Sequence, residues 1–371
     1  MNEALLSGAC NLLQNCAGAR AGDRVLLVGE KGPETFFDPC LCDDLAEACA
    51  ILDIESTIVL AKPGTDANHF PIVVSEAMQA TDFTIFFSRL GDQIRFLDSP
   101  GTSKKIMCYT LDRAHLASAF AHTDYHAMQR MHDHLLARIM QSKTYTIASP
   151  NGTSLAAVVT SETDSGQQAV TDFSLQLFPV MIFPPLHFHQ LEGQLVLDHF
   201  LLSSSTRAYA GSVLPLPSPI KVNIEDSRMI AFDGDRELIA RLRSQLERAA
   251  SITGGDPYRL NSWHTGINPH TFYHGDPNED LERWGTVAYG SPRYTHIHAA
   301  GNDPGDVSIQ LFDASISFAN DASGQTAGGE TWQTLWDNGR FIYLDSDEIC
   351  ALLSDSEREL LNSSIRLDIG I

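Results

Sequence analysis

Short apolar runs bounded by turn residues recur through the first third of the chain, and stretches with helical spacing separate them. The apolar runs occupy residues 24–30, 56–61, 82–88 and 105–110. The helical stretches occupy residues 2–19, 43–52 and 73–80. Apolar runs without alternation are typical of buried strands in parallel sheets. The alternation of strand and helix therefore predicts a doubly wound, mostly parallel sheet.

The pattern changes near residue 144, after a long helical stretch over 112–141 that we expect to bridge the two halves. Alternating segments flank Asn151-Gly152, the strongest short signal for a β-hairpin. Further strand-like runs follow at 192–198, 220–225, 307–318 and 340–345, and 237–250 has the pattern of an amphipathic helix. We therefore predict α/β plus α+β: an N-terminal α/β domain over residues 1–143 and a β-rich α+β domain over residues 144–371.

Three histidines stand out in the second half. His264 lies in N-S-W-H-T-G-I-N-P, which predicts a turn bounded by Gly and Pro, and His296 and His298 lie in the alternating run T-H-I-H. Residues i and i+2 of a strand project from one face, so the last two imidazoles can converge on one point. With a third imidazole from the turn, the pattern predicts a metal site. The alternative for each histidine is a solvated or structural side chain.

Charge and composition restrict the classes of partner. The 371 residues include 25 Lys and Arg against 47 Asp and Glu, a net charge of −22. This charge opposes binding to nucleic acid and to anionic membranes, since both are polyanions. No run reaches the ~20 apolar residues of a spanning helix, and the N-terminus shows no secretory signal pattern. Seven cysteines, an odd number, favour free thiols and a cytoplasmic protein.

Signatures of several common enzyme classes are missing from the sequence. The turn after the first strand reads G-E-K-G-P-E rather than G-x-G-x-x-G. Neither a P-loop nor a G-x-S-x-G nucleophile motif occurs. The sequence thus gives no support to a dinucleotide-dependent enzyme, an NTPase or a serine hydrolase.

The order of these features resembles the aminopeptidase T group of metallo-aminopeptidases and the 2,5-dihydroxypyridine dioxygenase-like enzymes related to it. A-G-D-R-V-L-L-V-G-E is similar to the opening strand of the family. I-A-S-P-N-G-T-S-L is similar to its hairpin after the long helix, and E-G-Q-L-V-L-D to the strand after its first metal motif. The resemblance spans most of the chain. It implies an N-terminal α/β domain, a C-terminal metal-bearing catalytic domain and a homodimer.

The resemblance also implies further metal ligands. His187 in F-P-P-L-H-F-H stands where the peptidases have a Glu of their first metal motif, and Asp313 in L-F-D keeps the carboxylate of a His-x-Asp pair. The dioxygenase branch uses a single non-haem iron with two histidines and one carboxylate. The expected metal ligands are therefore drawn from His264, His296, His298, His187 and Asp313.

Together these observations predict a metal-dependent enzyme that acts on a small molecule, with a mononuclear non-haem iron oxygenase as the leading hypothesis. Fe(II) is favoured because imidazoles with one carboxylate suit it, and Zn(II) and Mn(II) are the alternatives. We expect His270, His274 and Tyr294 to move protons or hold the substrate. The competing hypotheses are a zinc or manganese metallo-hydrolase of aminopeptidase type and a non-catalytic binding protein on the same fold.

Overall fold

The computed structural model describes residues 1–62, 70–95, 101–159, 173–204, 209–301, 305–320, 331–362 and 368–371. Over these residues the chain forms one parallel sheet of five strands and one antiparallel sheet of twelve strands. Helices pack with the parallel sheet and also follow strands of the antiparallel sheet. The predicted fold class, α/β followed by β-rich α+β, is confirmed.

The strands of the parallel sheet are β1 Arg24–Glu30, β2 Glu55–Ala61, β3 Phe83–Phe87, β4 Lys104–Cys108 and β7 Gln176–Phe178. Their order is β2-β1-β3-β4-β7, and every neighbouring pair is parallel. The helices of this half begin with α1 Glu3–Cys10, the π-helix Asn11–Ala17, α2 Cys40–Ile51, α3 Ile72–Gln79 and α4 Arg89–Gln93. The central strand β1 is buried from its second residue to its last, as its unbroken apolar sequence predicts.

The fifth strand of this sheet comes from beyond the predicted domain boundary. Ile106 pairs with Gln176 and Cys108 with Phe178, so the chain returns to the N-terminal sheet after it has begun the second one. The domain ranges 1–143 and 144–371 stay a prediction, because strand pairing alone does not define a folding unit. The crossing segment that follows β7 later forms one wall of the candidate site.

The single helix predicted over 112–141 is three helices: α5 Arg113–Leu116, α6 Ala119–His122 and α7 Tyr125–Met140. Asp112 starts α5, and Asp124 separates α6 from α7, because each carboxylate accepts a hydrogen bond from the backbone N–H three residues later. The break between α5 and α6 falls at Ala117 and Ser118. An N-capping side chain requires a non-helical backbone at its own residue, so each aspartate starts a new helix. The prediction of one continuous helix is wrong for that reason.

The antiparallel sheet contains β5 Thr144–Ala148, β6 Ser154–Val158, β8 Leu186–His187, β9 His189–Ser203, β10 Leu214–Glu225, β11 Arg228–Asp233, β12 Leu260–Thr265, β13 Tyr294–Ala299, β14 Val307–Phe312, β15 Ser315–Asn320, β16 Thr331–Asp337 and β17 Arg340–Phe341. Its main path runs β17-β16-β15-β5-β6-β9-β14-β13-β12-β8, with β10 on β9 and β11 on β10. The remaining helices are α8 Arg236–Thr253, α9 Leu281–Ala288, α10 Asp347–Leu352 and α11 Asp355–Asn362, with 3-10 turns at Pro277–Glu279 and Ile342–Asp345. None of the helices in the described ranges is long and apolar enough to cross a bilayer.

Two strand predictions fail in this half. The run 307–318 is not one strand, because Asp313 has a positive φ of 52° and separates β14 from β15. The two pieces also pair with different strands, β14 with β13 and β9, and β15 with β5 and β16. The run 340–345 is a strand only over Arg340–Phe341 and continues as a 3-10 turn.

The fold buries His115 as a neutral imidazole, and this gives a prediction for how the stability of the protein depends on pH. The Nε2–H of His115 donates to the Phe272 carbonyl at 3.0 Å, and its Nδ1 accepts from the Leu111 N–H at 3.3 Å. Burial lowers the pKa of His115 from 6.5 to about 4. Below pH 6.5 the unfolded chain therefore binds a proton that the folded chain does not. From this group we expect the free energy of unfolding to fall by about 3 kcal/mol between pH 7 and pH 4.

Denaturant unfolding of the wild type and His115→Gln at both pH values measures that difference, since glutamine does not titrate. The pH dependence of stability should be smaller in His115→Gln by about that amount. The exposed His126 provides the matched control, and His126→Gln should keep the wild-type pH dependence. An unchanged pH dependence in His115→Gln contradicts the argument.

Candidate metal centre

The three histidines singled out in the sequence lie on two neighbouring strands. In the antiparallel register of β12 and β13, His264 lies opposite His296, and His298 lies opposite Ser262. The expected turn at His264 is wrong: it lies within β12, next to the terminal Thr265. Because His296 and His298 are two residues apart on β13, they project from the same face, as the T-H-I-H pattern predicts.

All three rings are buried and close together. The exposed fractions of His264, His296 and His298 are 4%, 2% and 4%. One ring nitrogen from each residue lies within 4.8 Å of the others. The Nε2 atoms of His264 and His298 are 3.1 Å apart, and the ring centroids of His264 and His296 are 3.9 Å apart.

The hydrogen bonds on the far side of two rings fix their tautomers. His264 Nδ1 lies 3.0 Å from the Phe183 carbonyl oxygen, and His298 Nδ1 lies 2.7 Å from Asp306 Oδ2. A carbonyl and a carboxylate oxygen only accept, so each Nδ1 carries the proton. In the neutral rings both Nε2 atoms then present lone pairs to each other across 3.1 Å. Two lone pairs at this distance repel unless a proton or a cation lies between them.

The dimensions of this contact fit a shared metal ion. Burial, reinforced by the neighbouring His298 and Arg95, lowers the pKa of His264 well below its usual value, and burial does the same for His296. Metal–nitrogen bonds of about 2.0–2.1 Å place two nitrogens on one ion roughly 3.0–3.4 Å apart. The observed 3.1 Å lies in that range. His296 Nδ1 is also buried with no hydrogen-bond partner among the described residues.

Arg95 from the N-terminal half and Ser204 and Tyr289 from the C-terminal half complete the surroundings of the three histidines. Arg95, just after α4, donates from Nη1 to Asp92 Oδ1 at 2.9 Å and from Nη2 to the Ser204 carbonyl at 2.7 Å. The Ser204 hydroxyl lies 2.9 Å from His298 Nδ1. The Tyr289 ring lies 4.6 Å from the His296 ring, centroid to centroid. The cluster is thus walled by both halves of the chain.

Sequence reasoning missed Asp306, Ser204 and Arg95. Asp306 lies in N-D-P-G-D, which reads as an ordinary turn, and Ser204 follows a β-strand without any motif. Arg95 lies in the other half of the chain, far from the histidines in sequence. Nothing in the local pattern distinguishes these residues from surface polar residues, and only the tertiary fold brings them together.

The structure does not bring His187 and Asp313 into the cluster. His187 lies on the edge strand β8 opposite Ser262, half-buried and outside the converging group. Asp313 lies beyond the end of β14, where both its oxygens bind Arg293, the shorter contact being 2.7 Å. On β14 it is three residues past Gln310, the partner of His296, which is about 10 Å along a strand. In this structure Asp313 therefore pairs with Arg293 and lies outside the group of three histidines.

The three residues expected to act on protons or substrate are divided between two places. Tyr294 adjoins the cluster, and its ring stacks on His296 with centroids 5.5 Å apart. His270 and His274 line a different cavity of about 480 Å³ together with Phe272. His274 is half-exposed, and its Nε2 contacts Asp112 Oδ2 at 2.8 Å.

Asp112, His115 and His274 also lie close enough to resemble a metal site. His115 has no lone pair to offer, however. Its Nε2–H donates to the Phe272 carbonyl, and its Nδ1 accepts from the Leu111 N–H. Two ligands remain, one of them half-exposed, so this group is better explained as a structural hydrogen-bond network.

Two solved structures share this fold over nearly the whole chain. 2,5-dihydroxypyridine dioxygenase from Pseudomonas putida KT2440 superposes with a TM-score of 0.56 at 15% identity, covering 92% of this chain and 98% of its own. AmpT from Thermus thermophilus superposes with a TM-score of 0.52 at 11% identity, covering 91% of this chain and 99% of its own. The chain has their fold. The resemblance inferred from sequence is confirmed at that level, and at these identities it establishes the fold alone. No protein-family model matches the sequence, and no curated protein matches it significantly.

Proposed function

We propose that this protein is a metal-dependent enzyme with one metal ion held by His264, His296 and His298. The observation that carries the proposal is the 3.1 Å contact between two Nε2 atoms whose rings both carry their proton on Nδ1. In a buried site this arrangement is unfavourable for neutral rings alone and favourable around a cation. The Phe183 carbonyl and Asp306 orient the two rings, as second partners of metal-bound histidines commonly do.

The proposed activity is that of a mononuclear non-haem iron oxygenase, with three histidines in place of the two histidines and one carboxylate expected from the sequence. Imidazole nitrogens suit Fe(II), and three protein ligands leave positions for other ligands. Bound iron would supply the capacity to bind and activate O₂. The chain supplies water-poor surroundings for the ion, because all three histidines are almost completely buried. The likeness to the fold of a dioxygenase supports the same reaction class.

Charge balance supports an anionic small molecule as the substrate. Three neutral imidazoles do not compensate the charge of a divalent ion, and the positive charge of Arg95, close to His264 and His296, is balanced by Asp92. In the described part of the chain, the one carboxylate that contacts any of these rings is Asp306, which contacts His298. An uncompensated buried charge is costly, so a substrate that brings a negative charge is favoured.

A zinc or manganese hydrolase is the second candidate. Three histidines hold catalytic zinc in some enzymes and activate a bound water, and the fold is also that of AmpT. A two-metal hydrolytic centre needs carboxylates to bridge the ions. No carboxylate ligand converges on the three histidines within the described residues. If the activity is hydrolytic, we therefore propose a single metal ion.

We also propose that the protein is a cytoplasmic homodimer that does not bind nucleic acid or membranes. Seven unpaired cysteines and the net charge of −22 support the location and the absence of polyanionic partners. The dimer comes from the resemblance to the dioxygenase and peptidase group. Light scattering of the purified protein measures the mass directly, and a monomer would refute that part.

Metal analysis of protein purified without oxygen tests the proposed function. We expect about one iron per chain and oxygen consumption with at least one small hydroxylated aromatic acid. One zinc or manganese per chain, with peptide hydrolysis and no oxygen uptake, would establish the second candidate instead. Protein that binds none of these metals on reconstitution would be the non-catalytic binding protein of the third hypothesis.

A further inference from the structure

A second cavity, of about 400 Å³, lies beside the segment that crosses from the parallel sheet to the antiparallel sheet. Phe173 and Leu175, just before β7, and Met181 and Ile182, in the crossing segment after β7, form an apolar wall of this cavity. Lys105 of β4 lines it as well. The cavity therefore combines an apolar surface with a cationic group.

The charge of this cavity contrasts with that of the whole protein. Its lining includes Lys104, Lys105 and His132 but no Asp or Glu, although acidic residues outnumber basic ones 47 to 25 in the chain. Lys104 Nζ donates to the Cys16 and Ala17 carbonyls at 3.0 and 2.7 Å, which end the π-helix. Its role is therefore explained by capping that helix.

Helix capping does not explain the presence of Lys105 in the cavity. Its Nζ donates to the Gly101 and Ser103 carbonyls, both at 3.2 Å, and no described carboxylate pairs with it. Burial lowers the pKa of Lys105, as expected for an ammonium group that lacks a counter-charge. An ammonium group carries three N–H donors, and two are used by these carbonyls.

The cavity also lies directly behind the metal centre. Along the crossing segment, Ile182 and Pro184 line the cavity, whereas the Phe183 carbonyl between them accepts from His264 Nδ1. The ring of Phe183 also lies on the side of His264, with ring centroids 6.4 Å apart. Phe173 lines the cavity and stacks on His264, with ring centroids 6.4 Å apart.

We propose that this cavity binds a small organic anion, with Lys105 holding the negative group and the apolar wall holding the body of the molecule. The chemical class is a carboxylate on an aromatic or aliphatic frame. The site is separate from the three histidines, so its occupancy does not require a bound metal. It goes beyond the proposed reaction, because it assigns a ligand to a cavity that the metal centre does not use.

Calorimetry on the metal-free protein tests this with benzoate and its neutral isostere benzamide. We expect benzoate to bind at least about tenfold more tightly, because hydrogen bonds to charged groups contribute that much or more. Lys105→Gln should abolish the difference. Lys221→Gln is the matched control, since Lys221 is exposed on β10, and it should leave the difference unchanged. Inorganic phosphate, which has no apolar body, should bind more weakly than benzoate.

Three results would overturn the proposal. These are undetectable benzoate binding, equal binding of benzoate and benzamide, and a preference for benzoate that survives in Lys105→Gln. Circular dichroism of each variant shows that it is folded before its binding is compared. Because the metal-free protein is used, failure here leaves the metal centre untouched, and failure to bind metal leaves this cavity untouched.

Discussion

His264→Ala is expected to lower the affinity of the protein for its metal roughly a hundredfold to a thousandfold. Structural zinc sites with four ligands bind with an apparent ~10–16 kcal/mol, which is about 2.5–4 kcal/mol per ligand. Removing His264 also leaves the lone pair of His298 Nε2 facing an empty space instead of a shared ion. Titration against a chromophoric chelator measures the affinity, and elemental analysis measures the metal retained after purification.

Two further variants distinguish the effect of losing a metal ligand from the effect of changing a residue that is not a ligand. Asp306→Asn keeps an acceptor for His298 Nδ1–H but removes the charge, so we expect the smaller loss typical of second partners, about tenfold to a hundredfold. His126→Ala removes an exposed histidine of α7 and should leave the affinity unchanged. Wild-type affinity in a correctly folded His264→Ala protein would show that these three histidines do not form a metal site.

Glu30→Gln is expected to lower the free energy of unfolding by about 3–5 kcal/mol, the cost of breaking a buried ion pair on one side. The carboxylate of Glu30 and the guanidinium of Arg89 are 0% and 1% exposed. Glu30 accepts from the backbone N–H of Arg89, from its Nε and Nη2, and from the Phe36 N–H. Glutamine is neutral and has one acceptor oxygen instead of two, so the charge of Arg89 loses its partner in a water-poor site.

The exposed pair of Arg24 and Asp82 is the matched control. The two side chains are 52% and 44% exposed, and solvent screens their interaction. Asp82→Asn should therefore shift the denaturation midpoint little, whereas Glu30→Gln should shift it strongly. Equal shifts in the two variants would contradict the argument from burial. The buried pair of Glu30 and Arg89 also has a structural role, because Arg89 begins α4, which leads to Arg95 beside the three histidines.

Much of the architecture could be predicted because it follows from local patterns. The first four parallel strands lie within two residues of the predicted bounds, since unbroken apolar runs between turn residues specify buried strands. The hairpin at Asn151-Gly152 joins β5 to β6, as that dipeptide predicts. His296 and His298 share a face of β13 for the same kind of reason, because side chains alternate along any strand.

The failures share a different cause. The kink at Asp313 ends a strand whose sequence is apolar on both sides, and it turns the carboxylate toward Arg293 rather than the histidines. The carboxylate that does contact the histidines is Asp306, which orients His298 through Nδ1. A search for a ligand at a fixed spacing finds Asp313 and overlooks Asp306. Which of two nearby aspartates turns inward depends on backbone angles set by the neighbouring strands.

By itself the sequence determined the succession of elements, the two kinds of sheet and the pairing of two imidazoles on one strand. These depend on interactions between residues a few positions apart. The sequence also named His264 as the third imidazole, and only the tertiary structure decided which groups hold the rings. Phe183, Asp306 and Arg95 come from three distant parts of the chain. Their positions depend on strand order and on the crossing segment, which local periodicity does not encode.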